Sequence, residues 1–243
     1  MFDAMSHLYR CLDPTAALAK GRAAGVDDVL LAGVDPEGWR AQSALAGPGV
    51  HVAYGCHPWH ATGEGDAVTL EAALSDLATP VAVGEIGLDG SGRHRSRLAV
   101  QETSFVTQLD LAQQQGLPVI LHVVRAHGAA LDGFDRCPAP SGVVHGFSGS
   151  MEVARQWLSR GFLLSFGPLV CNEKAKRARI AAAQVPLDRL LIESDAPSHF
   201  EDSAGIIRVL ESLSALRPET VAQLAKASRE NACRLFGVDN SHR

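Results

Sequence analysis

An α/β fold of the TIM type, a (β/α)8 barrel, is what this sequence of 243 residues predicts. Three observations carry the prediction. Short apolar runs without polar alternation recur along the chain, as parallel strands covered on both faces require. Helical patterns fill the stretches between them, the alternation expected of a parallel α/β sheet. Residues able to bind metal stand at the downstream ends of separate runs, and in a barrel those ends open onto the face that holds the active site.

The first four runs are FDAMSH near residue 2, DDVLLAG near 27, VHVAYG near 50 and VAVGEIG near 81. Then come LPVILHV near 117, GVVHGF near 142, GFLLSF near 161 and RLLIESD near 189. Residues 14–24 read as a helix opened by Pro14 and ended by Gly25. Residues 98–115 carry Val100, Phe105, Val106, Leu109 and Ala112 at helical spacing and stop at Gly116, ahead of Pro118. Helices over 152–160, 173–183 and 204–216 follow the later strands, and one over 220–236 closes the barrel. Eight strand–helix units favour a closed barrel over an open doubly wound sheet. No dinucleotide fingerprint or P-loop follows the first strand, which weakens the open sheet further. With no low-complexity linker in sight, a single domain spanning 1–243 is expected.

The length suits one barrel, and 46% hydrophobic content suits a globular chain. A net charge of -5 gives no global attraction to nucleic acid or to an anionic membrane. Polyanion binding must then come from local patches or bound cations. The cysteines, Cys11, Cys56, Cys137, Cys171 and Cys233, are scattered, odd in number and never in a C-x-x-C pair. That pattern disfavours a zinc ribbon and suits a reducing compartment. Asp3 and His7 stand where a signal peptide would be apolar, and no apolar stretch is long enough to span a membrane. A cytoplasmic monomer is expected, without membrane association.

Glu85, His122, His145 and Asp195 end the fourth, fifth, sixth and eighth runs. Each has a structural reading when taken alone: a salt-bridged acid, a pair of hydrogen-bonded core histidines, a helix N-cap. Together they are a set of O and N ligands. Glu85 can bridge two ions, because its two oxygens can each bind one. His122 and His145, on adjacent strands, can share an ion. Asp195 can ligate and also accept a proton from bound water. His7 ends the first run and joins the set, because a barrel places strands one and eight side by side. Such residues suit metal-assisted hydrolysis, in which one or two divalent ions acidify water near neutral pH. Mixed imidazole and carboxylate donors suit Zn2+ or Mn2+, with Mg2+ where water completes the shell.

Two basic segments follow strands four and seven. GSGRHRSR holds Arg93, His94, Arg95 and Arg97, and NEKAKRAR holds Lys174, Lys176, Arg177 and Arg179. Read as solvated faces they mean nothing; read as phosphate contacts they supply the local attraction that the acidic chain lacks. In GCHPWH after strand three, His57 and Trp59 are candidates for substrate contact, and Trp59 can stack on a base. Cys56, His60 and His199 have no assigned role.

GEIGLD at 84–89, QLDLAQQQGLPVILH at 108–122, VVHGFSGS at 143–150, LIESDAP at 191–197 and RENACRLFG at 229–237 resemble the TatD family of metal-dependent deoxyribonucleases, as does GCHPW. The resemblance spans nearly the whole chain in order. It implies a metal-bearing TIM-like barrel that hydrolyses phosphodiesters, commonly at DNA ends, with Glu85, His122, His145 and Asp195 as ligands.

Three departures stand out. Members mostly carry Asp-x-His-x-His after the first strand. Here Asp3-Ala4-Met5-Ser6-His7 keeps the second His and puts Met5 in place of the first. A thioether is a poor ligand for hard ions, so one metal position is weakened. The family also often places an Arg two residues after the fifth-strand His, whereas Arg125 stands three after His122 and is carried as a candidate phosphate contact. The segment after Asp195, APSHFEDSAGI, is shorter than in many members.

The sequence therefore predicts a divalent-metal-dependent hydrolase cleaving phosphodiesters, most simply a TatD-like exonuclease acting on DNA. Catalysis would rest on Asp195 and Glu85, ligation on His7, Glu85, His122, His145 and Asp195, and substrate contact on His57, Arg93, Arg95 and Arg125. Two alternatives remain at this point: a metal hydrolase of a small amide, lactone or phosphoester, and an interaction protein with a weakened metal site.

Overall fold

In the computed structural model, residues 1–137 and 141–239 are described. The chain begins β1 (Phe2–Ser6), α1 (Pro14–Ala23), β2 (Asp28–Ala32), α2 (Pro36–Ala44), β3 (Val50–Tyr54) and α3 (Gly65–Asp76). It continues β4 (Ala82–Asp89), α4 (Leu98–Gln115), β5 (Val119–Val124), α5 (His127–Arg136) and β6 (Gly142–Val144). It ends α6 (Met151–Ser159), β7 (Leu163–Phe166), α7 (Lys176–Gln184), β8 (Leu190–Ile192), α8 (Ile206–Ser214) and α9 (Val221–Phe236). All eight apolar runs are strands, and they follow in order in one eight-stranded sheet. Pairing is parallel for β1 with β2, β3 with β4, β4 with β5, β5 with β6, and β7 with β8.

The chain packs as two compact units: Met1–Leu31 with Pro48–Val50 and His145–Arg243, and Ala32–Gly47 with His51–Val144. Within the first unit the earliest and latest strands are tied together. The amide of His7 donates to the Ala196 carbonyl at 2.6 Å, and that of Asp195 to the Met5 carbonyl at 3.2 Å. Asp3, buried in β1, accepts from the Ser194 amide at 2.8 Å and from the Ser194 and Ser203 hydroxyls at 2.6 Å each. α9 opens with a capping box in which Thr220 and Gln223 satisfy each other's amides. Its inner face carries Leu224, Ala232 and Phe236, with Phe236 stacked on Phe2. Asn231 on the same face donates to the Leu187 and Leu190 carbonyls, which holds the entry to β8.

In the second unit α4 does two jobs. Phe105, Leu109 and Ala112 fill the core at helical spacing, and Gly116 closes the helix at φ 66°, a left-handed position suited to glycine. Buried polar residues one and three turns in hold the loops above. Gln108 accepts from the Cys56 amide at 2.8 Å and donates to the Cys56 carbonyl at 3.2 Å. Gln101 accepts from the Asp89 amide at 2.7 Å and donates to the His94 carbonyl at 3.0 Å. One helix thus fixes the segments bearing His57 and Asp89.

Among the described residues no helix is long and apolar enough to cross a membrane. The structure adds α2, α3 and α5 to the helices expected from the sequence and starts α7 at Lys176 rather than at residue 173. Two of the missed helices bury little, whereas α5 buries Ala130, Leu131 and Phe134. α2 hides Trp39 and Gln42, and α3 hides Asp66 and Leu70, so neither shows an apolar stripe.

The Asp3 network sets a pH signature. Burial, against its hydrogen bonds from Ser194 and Ser203, pushes the Asp3 carboxyl up from 3.8 to about 7, with the Glu193 charge adding to the rise. In that interval the folded chain holds a proton that the unfolded chain has released, so its contribution to stability is full below 3.8 and is lost as pH rises through about 7. Asp3→Asn, which mimics the protonated form, is expected to flatten this part of the stability curve. Urea unfolding of both proteins across that range checks it, and parallel curves would place the ionisation elsewhere.

Candidate metal-binding residues

Glu85 is not at the end of its strand but inside it, because β4 runs on to Asp89. The β4–β5 register pairs Gly84 with Ile120 and Ile86 with Leu121, leaving Glu85 as the extra residue of a bulge. A bulge re-aims a side chain without ending the strand. Gly87, at φ 138°, supports it, since a β-carbon there would collide with the His122 carbonyl. His122 likewise lies within β5, whereas His7, His145 and Asp195 lie just beyond β1, β6 and β8.

In the second unit Glu85 Oε2 stands 3.5 Å from His122 Nδ1 and 3.9 Å from His57 Nε2. One ligand atom of each of the three lies within 4.8 Å of the others. The 3.5 and 3.9 Å separations suit donors sharing one cation, each about 2.0–2.2 Å from it. Two imidazoles and a carboxylate that is 1% exposed are a donor set that a divalent ion fits. His57, expected to contact substrate, therefore sits among the donors.

Asp89 braces this cluster from behind. Its Oδ2 accepts from the Trp59 indole at 2.6 Å and lies 3.6 Å from His122 Nε2. Burial alone would raise the Asp89 carboxyl, but the His122 imidazole beside it and hydrogen bonds from Ser91 and Trp59 hold it well below the usual carboxylate range. A charged acid on Nε2 leaves Nδ1 to face Glu85. Trp59, 45% exposed, packs edge-on against His57 and stacks on His94 with ring centroids 5.0 Å apart.

In the first unit Asp195 has an imidazole at each oxygen: His7 Nε2 lies 3.6 Å from Oδ1, and His199 Nδ1 3.7 Å from Oδ2. Its backbone is left-handed, φ 51°, an uncommon state for a residue other than glycine and one that Asp tolerates better than most. His145 Nδ1 faces Glu193 Oε1 at 3.4 Å, and the same oxygen accepts from the Gly146 amide at 2.7 Å. The other Glu193 oxygen is buried without a hydrogen bond among the described residues, an open acceptor that favours a nearby positive charge. Met5, 1% exposed, occupies β1 where its register with β2 slips between Asp3 and Ser6.

The basic segments divide. Arg97 donates to the Trp59 and Ala61 carbonyls at 2.8 and 2.5 Å, so it is a clasp for the His57 loop rather than a free cation. Arg179 is similarly engaged on the Val170 carbonyl. Arg93 is exposed with its guanidinium 3.4 Å from His94 Nε2, and Arg95 is exposed. Arg125 is exposed just past β5 at φ 51°, a strained state for an arginine.

Asp89 and Glu193 were not singled out from the sequence. A signal was there. Asp89 follows Glu85 within GEIGLD, and Glu193 precedes Asp195 within LIESDAP, so each lies in the same short segment as a candidate ligand.

A family model described as TatD related DNase matches residues 2–237. The metal-dependent hydrolase YjjV of Escherichia coli K12 is 34% identical over 93% of this chain and 92% of its own length. The 3'-5' ssDNA/RNA exonuclease TatD of Cronobacter sakazakii is also 34% identical, over 92% of each. The crystal structure of E. coli YjjV superposes with a TM-score of 0.89 at 30% identity, covering 98% of both chains. The TIM-type barrel expected from the sequence is thus the fold of this chain.

Removing the brace should loosen the donor set without unfolding the chain. Asp89→Asn is expected to lower divalent-metal affinity by about 10–100-fold, the usual effect of losing an outer-shell carboxylate. Competition against a chromogenic chelator measures it. An unchanged affinity would leave Asp89 serving Trp59 alone.

Proposed function

The chain belongs to the TatD-related DNase family, and from that premise we propose that this metal-dependent hydrolase is an exonuclease acting on single-stranded nucleic acid. The observation that carries the reading is the His57–Glu85–His122 cluster, a largely buried donor set built at a bulge and braced by Asp89. The relative from Cronobacter sakazakii, named as a 3'-5' ssDNA/RNA exonuclease, supports the substrate class. In this reading one domain over 1–243 works as a cytoplasmic monomer on DNA or a related phosphodiester.

His7, Glu85, His122, His145 and Asp195 are the proposed ligands, with His57 added to them. Divalent ions, when bound, supply Lewis acidity and acidified water. The chain's own residues do the rest. Asp195 takes up the proton of the attacking water on a carboxylate oxygen. Glu85, fixed at its bulge, offers two oxygens from one rigid position. Glu193 holds the ring of His145, and Asp89 that of His122. Trp59 offers an exposed ring face beside His57 for a base, while Arg93, Arg95 and Arg125 meet phosphates.

Incubating the purified protein with 3'-labelled and 5'-labelled single strands of DNA and RNA, with added Mg2+, Mn2+ or Zn2+, tests the reading. Stepwise loss from one end is the expected result. Turnover of amides or lactones with no cleavage of either strand would replace it with the small-substrate hydrolase.

Two substitutions refine it. Asp195→Asn is expected to keep the fold and lose turnover by about 10^2–10^4-fold, the range for general acid–base groups. Near-normal rates with metal present would assign the proton transfer elsewhere. Because Met5 replaces an imidazole with a poor ligand for hard ions, wild type should hold about one ion tightly, and Met5→His should raise that number. Elemental analysis reads both; two equally tight ions in wild type would contradict the role given to Met5.

A further inference from the structure

The chain carries a net charge of -5, yet one cleft in its first unit is charged by cations alone. The cleft, roughly 390 Å³, lies between Ser148, on the loop after His145, and the start of α7. Lys174, Lys176 and Arg177 line it, with Leu169 as an apolar wall. Glu173, the acid of the NEKAKRAR run, is not among its lining residues. No carboxylate engages Lys174, Lys176 or Arg177 among the described residues.

Cations gathered this closely repel one another. They also stand at the positive end of a helix that has no acid in its first turn and no side-chain cap. Both effects oppose the arrangement in the free protein, and an anion in the cleft relieves both. The neighbouring arginine shows that charge here is not simply surplus: Arg179 is committed to the Val170 carbonyl and braces the segment carrying Leu169, leaving the other cations to the cleft. Leu169 is 39% exposed, an apolar surface beside the charges suited to a sugar or base edge. A free phosphate would use the cations alone; a strand uses both.

The cleft is also close to a proposed ligand. Ser148 follows His145 by three residues, a reach of at most about 11 Å in extended chain. The intervening loop is pinned by the Gly146 amide on Glu193 and by the Phe147 amide on the Ser165 carbonyl at 2.9 Å. A phosphate held by Lys174, Lys176 and Arg177 therefore lies beside the loop that follows His145.

We infer that this cleft is a strand-holding subsite, which grips a backbone phosphate of the nucleic acid next to the phosphodiester being cut. The inference rests on the exonuclease reading. The test is the combined variant Lys174→Gln, Lys176→Gln and Arg177→Gln, beside a charge-matched control, Lys20→Gln, Arg40→Gln and Lys226→Gln. Each is assayed with a fluorescein-labelled oligo-dT across a range of salt and with bis-p-nitrophenyl phosphate, which is too small to reach the cleft.

The cleft variant should raise KM on the oligonucleotide by about tenfold or more. It should also flatten the salt dependence of oligonucleotide binding by up to about 2 in the log–log slope, since each single-strand phosphate contact contributes about 0.7. Its rate on the small diester should be unchanged, and the control should shift neither. Equal losses on both substrates, or the same loss in the control, would overturn the subsite, as would unchanged binding and slope. If wild type neither binds nor cuts the oligonucleotide, the exonuclease reading fails first and takes the subsite with it.

Discussion

A buried acid at the start of the chain sets the geometry of the first unit. Asp3 takes its hydrogen bonds from Ser194 and Ser203, and so ties the first strand to the residues that follow the last. The tie is reinforced on either side by the Asp195 amide on Met5 and the His7 amide on Ala196. Between these anchors Asp195 is held in a left-handed backbone, a conformation that persists only when its surroundings over-determine it. The same anchors bring His7 to Asp195, residues at opposite ends of the sequence. Burying a carboxylate for this purpose is costly, as its raised pKa records.

The second unit reaches a comparable result with backbone irregularity instead of a buried acid. The extra residue at Glu85 turns its carboxylate toward His57 and His122 while the strand continues to Asp89. The strand needs glycine at Gly87 because β5 approaches there too closely for a side chain. GEIGLD is therefore a single device: a bulged acid, a close backbone approach, and an outer carboxylate that fixes the imidazole the first acid faces. α4 completes it from below with Gln101 and Gln108, each pairing with the backbone of a loop that bears part of the cluster.

The strands were legible because a buried parallel strand must be apolar on both faces, and most of the eight runs met that demand. The long helices α4 and α9 were legible for their periodicity and caps. α2 and α3 were not, since a helix that buries a Trp and a Gln, or an Asp and a Leu, has no stripe to read. A start signal was present at Asp35–Pro36, where Asp35 caps the Gly38 amide. At the site, residue types and strand positions pointed to Glu85, His122, His145, Asp195 and His7. They did not reveal the bulge, which is a matter of register with β5. Nor did they separate Arg97 and Arg179 from the cations beside them, because both are occupied by backbone carbonyls, and carbonyls are the same in every sequence.

The company kept by the acids separates framework from chemistry. Asp28 pairs with Arg229 and Glu219 with Arg217, permanent cations that cancel the carboxylate and fasten α9 to β2 and the α8–α9 turn to α7. Glu85, Asp195, Glu193 and Asp89 instead face imidazoles. A guanidinium cannot lose its proton in a protein, so a carboxylate beside it is spent. An imidazole near neutral pH can shed its proton and turn a lone pair to the same point in space that the carboxylate faces. Beside Glu85 and Asp195 the rings of His122 and His7 complete an anionic set of donors suited to a divalent cation, while Asp89 and Glu193 orient the rings of His122 and His145. Met5 fits this logic as a local weakening: it removes one imidazole from β1 but leaves Asp195 with His7 and His199 beside it and no arginine or lysine in the lost partner's place.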